Sequence, residues 1–172
     1  MKHELASSAY NKRRESCERA AAAIRKKHPE VEFLSDAKRV WLDEVRSEIS
    51  EEDFLRSEYV IGEVQRVLDV CDALERGDYE IVGEMMYQTH FGMSKLYEVS
   101  CEELDFLNKL ARKMDVTGSR VMGGGFGGCT INLVRDELYQ GFVDAAVEQF
   151  TAKFGHAPNI YDVVISDGAR KL

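Results

Sequence analysis

Residues 121–130 read VMGGGFGGCT, with five glycines among the six positions 123–128 and a cysteine directly after them. Glycine loses more backbone freedom on folding than any other residue, so ordering a run of them is costly. Something that only bare backbone can do must offset that cost. Successive glycines take positive φ freely and let another surface come close. The N–H groups of such a turn can also form an anion nest. Tight packing inside the domain, with no room for Cβ atoms, selects glycine equally well. Spacing alone leaves both uses open: contact with a phosphate or an active site, and internal packing.

The flanks decide what kind of loop this is. TGSRVM (117–122) and CTINLV (129–134) read as short strands, the second of them rich in Thr, Ile and Val. Gly123-x-Gly125-x-x-Gly128 matches the dinucleotide fingerprint, but that motif needs a helix directly after it. A P-loop needs Lys and then Ser or Thr after its last glycine, and Cys129-Thr130 stand there instead. The glycine flap of protein kinases does join two strands, yet no V-A-I-K, H-R-D or D-F-G follows Gly128.

Working outward, the chain up to about Met114 is helical in pattern. The first helix is expected from Ser7 or Ser8, either of which can cap it, to Lys27, before Pro29. A second covers roughly Asp36 to Ile49. Ser50-Glu51-Glu52-Asp53 opens a longer one in a capping-box-like pattern, with Val60, Val64, Val67, Leu68, Cys71 and Leu74 as an apolar stripe. Further helices are expected over Tyr79–Met93, from a Ser100 cap past Leu104 to Met114, and over Asp136–Phe154. NIYDVVIS (159–166) is the last strand candidate. The order from residue 100 is α-β-β-α-β, one strand short of the split ferredoxin-like unit. The helices between Ser35 and Met93 are then an insertion or a separate layer. The fold class is α+β, an antiparallel sheet with helices on one face plus additional helices.

The 172 residues allow one domain or at most two small ones. With 44% hydrophobic and 31% charged residues the composition is that of a soluble globular protein. No apolar run is long enough for a membrane span, and the N-terminus lacks a secretory h-region. The net charge of −8 argues against nucleic acid as a partner, and Lys12-Arg13-Arg14 reads as a solvated helix face. Cys17, Cys71, Cys101 and Cys129 are scattered, as are the four histidines, so neither a disulfide framework nor a metal site is expected. A reducing cytoplasm suits such cysteines.

At this point the residues resemble a family. GSRVMGGGFGGCTINLV (118–134) is similar to the third motif of the GHMP small-molecule kinases, in the form found in galactokinases. LASSAYNKRRESCE (5–18) and YEVSCEELDFL (97–107) also resemble galactokinase segments, in the same order along the chain. The resemblance implies a ferredoxin-like GHMP kinase C-terminal domain over residues 1–172. The sugar signature, the Ser-rich phosphate loop, the catalytic aspartate and arginine and the first strand would lie in an N-terminal half outside this sequence. The full enzyme would move the γ-phosphoryl of ATP, with Mg²⁺, to the anomeric hydroxyl of galactose, and this chain alone would be inactive.

The resemblance places Tyr10 as the tyrosine that contacts galactose, although the residues alone favour simple packing at a helix start. It places Gly123, Gly124, Gly125, Phe126, Gly127 and Gly128 as the loop that faces the active site and supports the partner domain's phosphate loop. Phe126 would set the loop's position, or belong to the core. No catalytic residue and no metal ligand is expected in the chain. Met122 stands where the family carries threonine, and Ser119 where alanine or glycine is common. Two other readings stay open: a non-catalytic sugar and ATP sensor or oligomerisation module, and a kinase for another sugar such as N-acetylgalactosamine. A sheet edge or cleft wall bared by a missing half would favour self-association.

Overall fold

The structure is a computed structural model that describes residues 2–164, and only the backbone of residues 2–8. Six α-helices and one antiparallel hairpin follow in the order α1 (Lys2–Arg25), α2 (Arg39–Glu44), α3 (Glu51–Glu75), α4 (Tyr79–Lys95), α5 (Glu102–Lys113), β1 (Gly118–Met122), β2 (Cys129–Leu133) and α6 (Asp136–Phe154). α1 begins at Lys2, so Ser7 and Ser8 lie inside it rather than capping it. No glycine or proline interrupts that stretch, and a helix once nucleated propagates through serine. It ends as expected: the His28 N–H donates to Ile24 O at 2.9 Å, and Pro29 follows.

The helix expected over residues 36–49 is instead three short pieces. Extended backbone at Ala37 and Lys38 separates the 3₁₀ turn Leu34–Asp36 from the six-residue α2, and Val45, at φ −109° and ψ 8°, separates α2 from the 3₁₀ turn Arg46–Glu48. The backbone bends so that Val31, Leu34, Ala37, Leu42 and Val45 are all buried, which a straight helix could not achieve. They pack with Ala20, Ile24 and Phe54 into a core shared by α1, the connector and α3. Ser50 caps α3 as its pattern predicts, accepting from Asp53 N–H at 3.1 Å.

α1 and α3 are also joined by a fork. Arg19 Nε and Nη2 donate to Asp53 Oδ2 and Oδ1 at 2.9 and 2.7 Å, and Asp53 is almost fully buried. The guanidinium holds the Asp53 carboxyl below its ordinary range, against the opposing effect of burial. A folded-state pKa below the unfolded one means stabilisation that is complete above about pH 4 and disappears as pH falls through the lower, folded value. Urea midpoints measured from pH 7 down to pH 2.5 are expected to fall in acid. Asp53→Asn is expected to lower the midpoint at pH 7 and to flatten its acid dependence. An unchanged acid slope in the variant would remove this pair as the cause.

The apolar stripe of α3 is present but uncovered: Val64, Val67, Leu68, Cys71 and Leu74 are exposed. The buried positions of α3 crowd into Asp53–Ile61, with Ala73 further along. Helical spacing identifies a face and says nothing about what covers it.

Of the helices between residues 35 and 93, expected to be an insertion or a separate layer, α2 and α3 do form a layer and α4 does not. α1 to α3 form a layer with its own core, whereas α4 lies directly on β1. Gly83 of α4 meets Thr117 and Gly118 backbone to backbone, and the Tyr87 hydroxyl donates to Val116 O at 2.7 Å. α5 and α6 close the other core through Leu110, Ala111, Val116, Phe142 and Ala146. Among the described residues the sheet has two strands. Residues 159–164 of the last strand candidate form neither helix nor strand, and residues 165 and 166 lie outside the described residues. α5 starts at Glu102 with Cys101 at its cap position; Ser100 instead donates to the Asp105 carboxylate at 2.6 Å. Asp105 also accepts from Ser94 and pairs with buried His90 at 3.1 Å, pinning α4 to α5.

A glycine loop held between two helices

β1 and β2 pair antiparallel, with Gly118 opposite Leu133 and Met122 opposite Cys129. The six residues 123–128 are therefore the hairpin connection, as the strand signals on either side require. The φ angles of Gly123, Gly125, Gly127 and Gly128 are +79°, +82°, +118° and +93°. These are left-handed or epsilon-type conformations that a side chain resists, so four of the five glycines answer to backbone geometry. The loop lies at the surface: Gly123, Gly124 and Gly128 are exposed, and Gly125, Phe126 and Gly127 are half-buried.

Phe126 also sits at positive φ, +59°, which costs a non-glycine residue on the order of 1 kcal/mol or more. Its N–H donates to Val99 O at 2.6 Å, which fixes the conformation. The same close approach sets Gly125. A Cβ there would lie 2.3 Å from Val99 O and 2.6 Å from Val99 Cβ. Val99 is itself buried and its N–H donates to Met93 O, so this support is rigid. Phe126 packs with Met93, Leu104 and Val121, so it both sets the loop and caps a small core.

Tyr10 is exposed on α1, one turn before Arg13. Arg13 is not part of a solvated face. Its side chain is 12% exposed; Nε donates to Tyr97 O at 3.0 Å and Nη2 to Glu98 O at 2.7 Å. Its guanidinium stands 5.4 Å from the centre of the Phe126 ring. Lys12 is exposed, and Arg14 pairs with Glu18 in solvent. Three identical-looking cations thus differ entirely in environment, and nothing in their spacing distinguishes Arg13. Arg13 brings α1 up to Phe126 of the glycine loop, and Tyr10 lies one turn before Arg13 on the same helix.

Below them, Tyr97 packs on Tyr59, and its hydroxyl lies 3.8 Å from Cys17 Sγ. Burial pushes the Tyr97 phenol up, with Cys17 and Tyr10 adding to the effect; burial likewise raises the Cys17 thiol. Both stay protonated near neutrality and act as packing and hydrogen-bonding groups. Glu98 Oε2 lies 3.6 Å from Arg13 and 3.4 Å from buried Arg56. Met122, 48% exposed, stands at the β1 end of the loop.

A larger groove of about 1010 Å³ runs between α3, α4 and α5, lined by Tyr59, Val64, Phe91 and Lys109 among others, and no loop residue borders it. Among the described residues no group of three His, Cys, Asp or Glu side chains is placed to hold a metal ion, and no helix is long and apolar enough to cross a membrane.

Residues 71–153 match the family described as GHMP kinases C terminal. The whole chain is 39% identical over 173 aligned residues to the galactokinase of Clostridium beijerinckii, covering 99% of this chain and 44% of that protein. It is 38% identical to the Homo sapiens galactokinase, covering 100% and 42%. The chain thus spans less than half the length of the curated relatives it matches. The crystal structure of Lactococcus lactis galactokinase complexed with galactose superposes with a TM-score of 0.78 at 27% identity, over 87% of this chain and 39% of the other. Residues 71–153, which hold the hairpin and its glycine loop, therefore match the C-terminal domain of the GHMP kinases, and the chain as a whole is similar to the C-terminal part of galactokinases.

Proposed function

We propose that this chain forms the C-terminal wall of the active site of a galactokinase. That protein would transfer the γ-phosphoryl of ATP to the anomeric hydroxyl of galactose, giving galactose 1-phosphate. Gly124 carries the proposal. Its φ lies outside the left-handed region, and a Cβ built on it meets nothing within 4 Å. Among the described residues neither a positive φ nor a close neighbour asks for glycine there, although glycine is the costliest residue to order. A surface that comes down on the loop from outside supplies the reason.

A phosphate chain, or a phosphate-binding loop of a second domain, fits that place. Gly123, Gly124 and Gly128 are exposed and carry no side chain, so an anionic oxygen can approach their backbone, whereas the Phe126 N–H is already bonded to Val99 O. When bound, ATP supplies the transferable phosphoryl group. The share of this chain is positioning, which dominates phosphoryl transfer: loop N–H groups orient phosphate oxygens or the loop that carries them, and the Tyr10 hydroxyl holds the sugar. Among the described residues no group of three His, Cys, Asp or Glu side chains gathers to hold a metal, and no ligand to Mg²⁺ is assigned to this chain. The general base and any metal ligand come from outside it, and the isolated chain is expected to turn over no galactose.

Gly124→Ala tests the reading. In the protein that carries this chain, the substitution is expected to slow galactose 1-phosphate formation, followed by ³¹P NMR, by on the order of tenfold or more. The unfolding midpoint of the chain should stay within about 2 °C of the parent, since no atom is crowded. Equal rates in the two proteins would mean that nothing descends on the loop. The same assay with N-acetylgalactosamine separates the two sugar kinases.

A further inference from the structure

Three consecutive backbone carbonyls, those of Tyr97, Glu98 and Val99, face two different elements. The first two accept from Arg13 of α1 at 3.0 and 2.7 Å, and the third accepts from the Phe126 N–H of the glycine loop at 2.6 Å. The Arg13 guanidinium also stands 5.4 Å from the Phe126 ring, so it grips the loop directly as well as through the shared strap. Glu98 holds a left-handed φ of +53°, an unfavourable conformation for a side chain that the Arg13 contacts help to fix. The three anchors lie far apart in sequence, 84 residues separating Arg13 from Tyr97.

We propose that Arg13 is a positioning residue that locks the glycine loop in register with the Tyr10 face of α1. This rests on the reading above, in which α1 faces sugar and the loop faces phosphate. Transfer between two bound groups is sensitive to their relative placement, and a misplacement of about 1 Å can cost on the order of a hundredfold in rate. An element that ties the two walls together therefore bears on kcat as well as on binding. Arginine suits the role and lysine does not. A planar fork reaches two carbonyls and lies against a ring at once, whereas an ammonium is a compact point charge.

The test has two arms. In the chain itself, amide hydrogen exchange of Phe126 is followed by NMR in the parent, Arg13→Lys, Arg13→Gln and the exposed control Arg14→Gln. Arg13→Lys and Arg13→Gln are expected to speed Phe126 exchange by on the order of tenfold, while amides of Ala21 and Ile24 in the α1 core stay protected. Arg14→Gln should match the parent. If Arg13→Gln fails to fold, Arg13→Lys, which retains the charge and one contact, carries the arm. Should both fail, Phe126→Leu, which removes the ring beneath the guanidinium together with part of its packing on Met93, Leu104 and Val121, is expected to speed exchange of the 126 amide in the same way. Parent-like exchange in the folded variants overturns the proposal.

In the protein that carries this chain, Arg13→Lys is expected to raise the galactose KM and lower kcat together, with Arg14→Gln unchanged in both. A purely structural staple would lower the unfolding midpoint and leave both constants per folded molecule as in the parent, and that result also overturns the role. The exchange arm needs no kinase activity. A protein that phosphorylates no sugar, yet shows the exchange effect, removes the proposed function and keeps the mechanical hold of Arg13 on the loop.

Discussion

Gly83→Ala is expected to destabilise this chain more than any other single methyl addition to its helices. A Cβ at Gly83 would lie 1.8 Å from Thr117 O, 2.5 Å from Thr117 C and 3.0 Å from its Cγ2. The obstacle is backbone, so no rotamer change relieves it. Nor can the strand retreat easily: Tyr87, one turn on from Gly83, is bonded to Val116 O, and β1 is laced to β2 behind it. Gly118 is the other half of the contact, since a Cβ there would come within 2.6 Å of Gly83 Cα. Alanine is the better helix former by about 1 kcal/mol, which opposes the clash and does not balance it. Overpacking a well-packed site costs about 1–3 kcal/mol and more where backbone must move, so a net loss of about 3 kcal/mol is expected. That is a large part of the total for an ordinary domain, about 5–15 kcal/mol. Urea unfolding measures it directly. A midpoint within error of the parent would mean that α4 and β1 are not in contact at Gly83.

Gly125→Ala is expected to do the converse, leaving most of the fold intact and removing the site. Its Cβ would overlap Val99 O at 2.3 Å, and its φ of +82° resists a side chain in any case. The loop must lift from Val99, which breaks the Phe126 N–H bond and withdraws the ring from Met93, Leu104 and Val121. The stability loss should be modest, because α1, α3 and the cores around them do not depend on the loop. Under the proposed function, the rate of galactose phosphorylation by the protein that carries this chain should fall by on the order of a hundredfold, as a displacement of about 1 Å at a positioning element allows. Gly124→Ala and Gly125→Ala thus separate two causes. The first blocks an outside surface without strain, and the second displaces the loop itself. A Gly125→Ala protein with parent kinetics would show that the loop's seat on Val99 is irrelevant to catalysis.

Part of this was legible in the residues. The short strand candidates on both sides of the glycines predict a hairpin, and the hairpin is there with Met122 and Cys129 as its closing pair. Pro29 ends α1, Ser50 starts α3, and the spacing of Leu138, Phe142, Ala146 and Phe150 reports α6. Other elements were read less well for a common reason. A helical pattern over residues 36–49 does not reveal that Ala37, Leu42 and Val45 must turn inward together with Val31 and Leu34 just before it. The stripe from Val64 to Leu74 has the right period and little to cover it among the described residues. Ser100 has the right spacing to Glu103 for a capping box, but the Asp105 carboxylate accepts from its hydroxyl instead.

Strand, turn and helix ends follow from φ preferences, hydrogen-bond capacity and side-chain period, all of which act within a few residues. On that local ground the sequence by itself determined that residues 123–128 form a bare connection between two strands, and the motifs around it pointed to the kinase family. Tertiary structure alone decided why particular residues stand where they do. Gly125 is needed because Val99 O occupies the space of its Cβ, and Arg13 differs from Lys12 and Arg14 because the carbonyls of Tyr97 and Glu98 arrive from 84 and 85 residues away. Where a distant loop places its backbone oxygens depends on the whole packed core, and no local window of sequence contains that information.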